Sequence, residues 1–135
     1  MAQACQRAVS DMLEKWKVLA ESGSPNAASQ VAERYLSTKH RDAPGVGCLI
    51  AMLGSEIARQ AAPVRGAVTE SMNETLGTLA RLMPGKSEAV RRKKAIAMFA
   101  SMAGALIMAR AINDPKLSVE ILQAVARSVA ATGNR

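Results

Sequence analysis

Ala95–Pro115 reads A-I-A-M-F-A-S-M-A-G-A-L-I-M-A-R-A-I-N-D-P, and from Ala95 to Ile112 only Ser101 and Arg110 are polar. A helix over this stretch is apolar on every side, so it must be covered by its own domain, by a second chain or by lipid. Lipid fits least. The unbroken apolar run stops at Arg110, short of the roughly 20 residues that a span requires, and much of it is alanine. On a helical wheel at about 100° per residue, Ile96, Met98, Phe99, Met102 and Leu106 fall on a bulky side. Ala97, Ala100, Ser101, Gly104 and Ala111 form a smooth strip opposite. The bulky side suits a core, and the smooth one lets another helix approach closely. Two readings remain: a helix shared between a core and a dimer contact, and the central helix of a monomer.

Working outward, the chain has 135 residues, which suffices for one domain (1–135) with a real core and not for two. Hydrophobic residues make up 49% but aromatics only 2%, so Ala, Leu and Met carry the interior and helices are favoured over strands. Eight methionines suit an adaptable core or an apolar pocket. The net charge of +7 is compatible with an anionic partner, yet its densest cluster, Arg91-Arg92-Lys93-Lys94, has no interleaved aromatics to stack on bases. It reads instead as the solvated start of a helix. Cys5 and Cys48 have no metal-ligand spacing, and Met1-Ala2-Gln3-Ala4 lacks a secretion pattern. A reducing, cytoplasmic setting is therefore expected, with no metal, no cofactor and no membrane.

Six helices are predicted, with no strand pattern and no internal repeat. The first runs from Ala2 to Glu21, striped by Cys5, Val9, Met12, Leu13, Trp16 and Leu19. The second is capped by Ser24 with Pro25 in its first turn, and continues to His40. Arg41–Gly47, with Pro44, Gly45 and Gly47, reads as a loop. The third spans Cys48–Gln60, with Leu49, Leu53 and Ile57 on one stripe and Cys48, Met52 and Glu56 on another. The fourth opens at Pro63 and ends before Pro84-Gly85. The fifth begins near Ser87 and stops at Asp114-Pro115. The sixth takes Ser118 as its N-cap, with Glu120 in the first turn, and closes at Gly133.

Chemistry is sparse. His40-Arg41-Asp42 matches the kinase catalytic-loop triplet, but the glycine-rich loop, lysine and metal-binding aspartate that a kinase needs are missing. Cys48 and His40 lack an orienting third group, so a packed thiol is the simpler reading. Glu56 is read either as a pocket carboxylate or as the partner of Arg59. Trp16 and Tyr35 are read as core, with a ligand cavity as the alternative. Nothing points to an enzyme.

Tyr35-Leu36-Ser37-Thr38-Lys39-His40-Arg41-Asp42 followed by Pro44 and Gly47-Cys48 resembles the regulatory domain of tetracycline-repressor (TetR) family transcription regulators. Glu56-Ile57-Ala58-Arg59, Arg65, Gly104-Ala105-Leu106, Ala109-Arg110-Ala111, Asp114-Pro115, Leu117-Ser118 and Ile121-Leu122 continue the resemblance in order, so it covers Tyr35 to Ala126. One departure is Leu49, where such proteins often carry proline after the cysteine. The resemblance implies a six-helix, all-α effector-binding domain whose last two helices form a four-helix bundle with those of a second copy. Leu122, Val125 and Val129 would then join the smooth strip at the dimer interface. It also implies an apolar small-molecule effector near Met12, Trp16, Met52, Glu56, Met72, Met98, Phe99 and Met102.

Members of that family read DNA with an amino-terminal helix-turn-helix. This sequence begins at or near the helix that would follow it. The expectation is thus either a truncated regulator or a domain acting alone, and no residue here is assigned to DNA. The alternatives are a free-standing helical homodimer, which binds ligands or pairs with full-length regulators, and a basic nucleic-acid-binding domain.

Overall fold

The computed structural model describes the backbone of residues 2–43 and 48–134, and the side chains of all of these except 2–6 and 8. Cys5 as a stripe residue and Pro44, Gly45 and Gly47 as loop residues lie outside what is described. The described residues are all-helical. Their elements are α1 (Ala2–Ser22), α2 (Ala27–Tyr35), α3 (Thr38–Arg41), α4 (Leu49–Ile57), α5 (Ala62–Leu82), α6 (Glu88–Ala111) and α7 (Pro115–Gly133).

Local chemistry accounts for the boundaries. Gly23, at φ +67°, takes the left-handed conformation that ends α1 at little steric cost. Pro63 sits in the first turn of α5, where a missing N–H costs nothing. The Ser87 hydroxyl accepts a hydrogen bond from Val90 N–H at 3.2 Å, and α6 starts there as expected.

Several boundaries differ from expectation, among them the end of the third predicted helix, which stops at Ile57 rather than Gln60. The second predicted helix is divided, because Ser37 adopts an extended backbone and its hydroxyl accepts from His40 N–H at 3.1 Å, capping a separate turn, α3. A short hydroxyl side chain has here offered the backbone an alternative to the helical ladder. The start of that helix also moves, from Pro25 to Ala27, and Asn26 precedes it without a side-chain cap. The last helix begins at Pro115 rather than after Ser118. Asp114 is its cap, its carboxylate accepting from Lys116 and Leu117 N–H at 3.0 and 3.3 Å. A carboxylate meets the positive end of the helix as well as its orphan donors, so it outcompetes the later serine. Glu120 accordingly lies beyond the first turn.

Helix α6 is the centre of the packing and contacts α3, α4, α5 and α7, while α2 packs on α7 and α1 on α5. Its inner side carries Ala95, Met98, Phe99, Met102, Ala103, Leu106 and Ala109, all buried with Val31, Leu79, Met83 and Leu122. Gly133 is needed where α7 crosses α2, since a Cβ there would stand 2.9 Å from that of Ala28. Asn134 locks the same crossing, accepting from Ser29 N–H at 3.1 Å and donating to the Ser29 hydroxyl at 2.6 Å. By length and composition α6 could cross a bilayer, but 44% of its most apolar window is buried inside the bundle. It is a helix with one covered side.

Candidate dimerisation face and interior cavity

The uncovered side of α6 is the smooth strip. Ala97, Ala100, Ser101 and Ala111 are exposed, and a Cβ added at Gly104 would meet nothing within 4 Å. The Ser101 hydroxyl donates to the Ala97 carbonyl of its own helix at 2.8 Å, so it presents no unsatisfied donor. Larger apolar side chains flank the strip: Ile96 and Ile107 are each 46% exposed, and Met108 is 54% exposed. Ile96 was expected on the core side. It lies instead at the edge of the bulky sector, one turn before Ala100 on the open side.

The resemblance also implies an α7 contribution from Leu122, Val125 and Val129. Leu122 and Val129 are buried in the chain's own core, and Val125 is half-buried against it, because α7 turns its apolar stripe onto α2 and α6. In the single chain Leu122 and Val129 are not exposed, whereas Val125 is in part.

No family model, curated protein or solved structure matches this chain. Its chemistry must be read from its own geometry.

A small cavity of about 20 Å³, partly open to solvent, lies among α1, α4, α5 and α6, with Met12, Cys48, Ile50, Met72, Thr75 and Phe99 in its lining. That is room for about one water molecule. Of the residues expected at a ligand site, Met12, Met72 and Phe99 line it. Met98 and Met102 are buried elsewhere in the core, and Trp16 packs near Tyr35 with ring centroids 6.4 Å apart. Met52 is half-buried outside the cavity lining. Glu56 is exposed and pairs with Arg59 at 3.4 Å, so it does not enter the cavity. Val9, Cys48, Leu49, Ile50, Val68, Ser71 and Thr75 also line it and were not expected there; the signal present was the Cys48 stripe, read as plain packing.

A shallow groove between α4 and α5, bordered by Gly54, Ile57, Arg65 and Val68, runs outside this cavity. Val68 belongs to both, so it is the wall between them. Helix α4 itself has no buried residue although most of its side chains are apolar.

Beside the cavity is a polar knot. Arg110, half-buried, donates through Nε to the Arg41 carbonyl at 3.1 Å and through Nη2 to the His40 carbonyl at 2.8 Å, capping the end of α3. Burial lowers its pKa, with Tyr35 and Cys48 acting in the opposite sense. Arg41 donates to the Ser118 hydroxyl at 3.0 Å, which donates onward to the Ala109 carbonyl at 2.8 Å. Its fork also holds Asp42, lowering that exposed carboxyl's pKa. The His40 Nδ1 lies 2.6 Å from the Tyr35 carbonyl oxygen, and its ring stands edge-on to that of Tyr35. The Tyr35 hydroxyl faces the Cys48 thiol without a hydrogen bond of good geometry; burial first, and the thiol second, push its pKa far above the ordinary phenol value. His40-Arg41-Asp42 thus joins α2, α6 and α7, as an organiser of structure.

Among the described residues no three His, Cys, Asp or Glu side chains gather as a metal site. The basic cluster is divided in use. Arg91 donates to the Gly85 carbonyl and Arg92 to Asn73, each at 2.9 Å, while Lys93 and Lys94 remain exposed.

Proposed function

We propose that this chain is the effector-sensing and dimerisation module of a TetR-like transcriptional regulator, working as a homodimer. The observation that carries the reading is the half-covered α6: one side is the core, while the other presents close-packing residues to solvent. A contiguous apolar strip of this kind marks an interaction surface. The resemblance over Tyr35–Ala126 supports the family, and the apolar cavity supports a small apolar effector. DNA would be read by a helix-turn-helix outside the described residues.

The cavity has room for about one water molecule, so an effector must widen it. Helix α4 is the element that can yield, having no buried residue, and Val68 is the gate toward the outer groove. An effector binding only the opened form shifts the balance by its difference in affinity, about 5.5 kcal/mol for a passage from 1:99 to 99:1. Displacement of α4 is transmitted to α6, against which it packs, and so to the dimer.

The test is the oligomeric state of Gly104→Arg. The site is open in the single chain, so the arginine fits the monomer and disturbs only a partner. The expected result is a dimer at micromolar concentration for the parent in analytical ultracentrifugation. The variant should be a monomer with unchanged helicity, since an unpaired charge buried in the contact costs several kcal/mol. A monomeric parent, or a variant that dimerises as well as the parent, overturns the reading.

A further inference from the structure

We infer that Cys48 is a site of reversible oxidation by hydrogen peroxide, its sulfur becoming a sulfenic acid held by the Tyr35 hydroxyl; this goes beyond the regulator reading and does not depend on it. Both side chains are almost wholly covered, Cys48 being 4% and Tyr35 3% exposed. The Tyr35 hydroxyl is buried without a hydrogen-bond partner of good geometry, and the sulfur it faces is that of Cys48. A buried donor left unsatisfied is costly, and redox chemistry is one reason for a fold to keep it. A neutral thiol is only a weak acceptor, whereas a sulfur anion or a sulfenate oxygen accepts strongly. The orphan hydroxyl is thus matched to the reactive and the oxidised forms of Cys48 rather than to the resting thiol. The Arg110 guanidinium, fixed by the carbonyls of His40 and Arg41, adds a positive charge coupled to both Cys48 and Tyr35.

Access and size select the oxidant. Cys48 lines the cavity of about 20 Å³, which is partly open to solvent and has room for about one water molecule. Hydrogen peroxide is little larger than water and enters such a space, whereas a bulky thiol reagent does not. Ser71 and the buried Thr75 give the cavity a polar edge. The Thr75 hydroxyl donates to the Ser71 carbonyl at 2.9 Å, and its oxygen can in turn accept from a peroxide O–H. In the reaction the Cys48 sulfur, as thiolate, attacks one peroxide oxygen. An S–O bond forms as the O–O bond breaks, and the departing hydroxide takes up the proton that the thiol released, leaving as water. The sulfur is oxidised by two electrons, and the peroxide is reduced by the same two. The added oxygen is of a size the cavity accepts, and a dithiol reductant restores the thiol.

The test uses the full chain with Cys5→Ser, in which Cys48 is the one remaining thiol. The chain is treated with hydrogen peroxide, the excess is removed with catalase, and the protein is then unfolded in urea with dimedone present. Mass spectrometry should find dimedone on the Cys48 peptide, and dithiothreitol added before unfolding should abolish it. Loss of the thiol to peroxide should be at least about tenfold faster in the folded chain than in urea, whereas a bulky aromatic disulfide reagent should show the reverse order. Tyr35→Phe should slow the folded reaction about tenfold, the worth of one hydrogen bond to an ion. Tyr35 is the chain's one tyrosine, so the parent supplies a second readout that needs no variant. Its near-ultraviolet band should shift on oxidation, as the phenol gains an acceptor, and return with dithiothreitol. Thiol loss no faster in the folded chain than in urea makes Cys48 a packed thiol and overturns the inference. So does a product that neither dimedone captures nor dithiothreitol reverses. An unchanged rate in a folded Tyr35→Phe, or an unmoved tyrosine band in the oxidised parent, overturns the part given to Tyr35.

Discussion

Tyr35 shows how one atom can work against the residue that carries it. Its ring is buried between Trp16, His40 and Phe99 and is part of the core. Its hydroxyl is desolvated without a hydrogen bond of good geometry, so it carries a penalty of burial that the Cys48 thiol offsets little. Tyr35→Phe is therefore expected to be neutral or stabilising by up to about 1–2 kcal/mol in urea unfolding. The same substitution bears on alkaline stability. The folded pKa lies far above the ordinary value near 10, so the unfolded chain releases this proton first and stability falls as pH rises past about 10. The parent should lose stability there more steeply than Tyr35→Phe, and equal slopes would show that this phenol is not the cause. Glu56 carries a different lesson. Its place on a stripe with Cys48 and Met52 allows either a pocket carboxylate or a partner for Arg59, since helical period alone does not say which stripe faces inward, and Arg59 holds it outside.

Elements were legible where local chemistry is strong. The caps and breakers at Gly23, Pro63, Ser87 and Pro84 appear where the sequence places them, because each acts within one turn of chain. The start of α7 was not: Asp114, read only as the stop of the preceding helix, is its cap, and the folded chain engages Ser118 elsewhere. That division of roles is testable. Asp114→Ala should cost about 1 kcal/mol, as the loss of a cap. Ser118→Ala should cost about 1–3 kcal/mol, because it leaves Arg41 and the Ala109 carbonyl without their buried partner. Chemical unfolding of the two variants would separate them, and a Ser118 cost no larger than a surface substitution would count against the polar knot. The split of α2 from α3 at Ser37 is another such case, decided by a single hydroxyl and by the long-range cap that Arg110 supplies.

At the scale of the whole molecule, cover is uneven. Helices α5, α6 and α7 bury much of their apolar surface, whereas α4 is more apolar than any of them and buries no residue. Stability should follow cover rather than composition. In hydrogen exchange the α4 amides are expected to exchange at least tenfold faster than those of Met98–Leu106, and a ligand entering the cavity should slow them. Protection of α4 equal to that of α6 would mean that α4 is closed by something other than its own chain. The amino-acid order alone established an all-helical chain, most of its breakpoints, and a late helix with one bulky and one smooth side, because propensity, capping and helical period are properties of neighbours a few residues apart. Only the tertiary structure decided which candidates of each pattern were used: that Leu122 and Val129 turn inward, that Ile96 and Met108 stay out, and that Arg110 spends its charge on α3. Those outcomes depend on which surfaces meet across long separations, and the periodicity of a single helix carries no record of what lies opposite it.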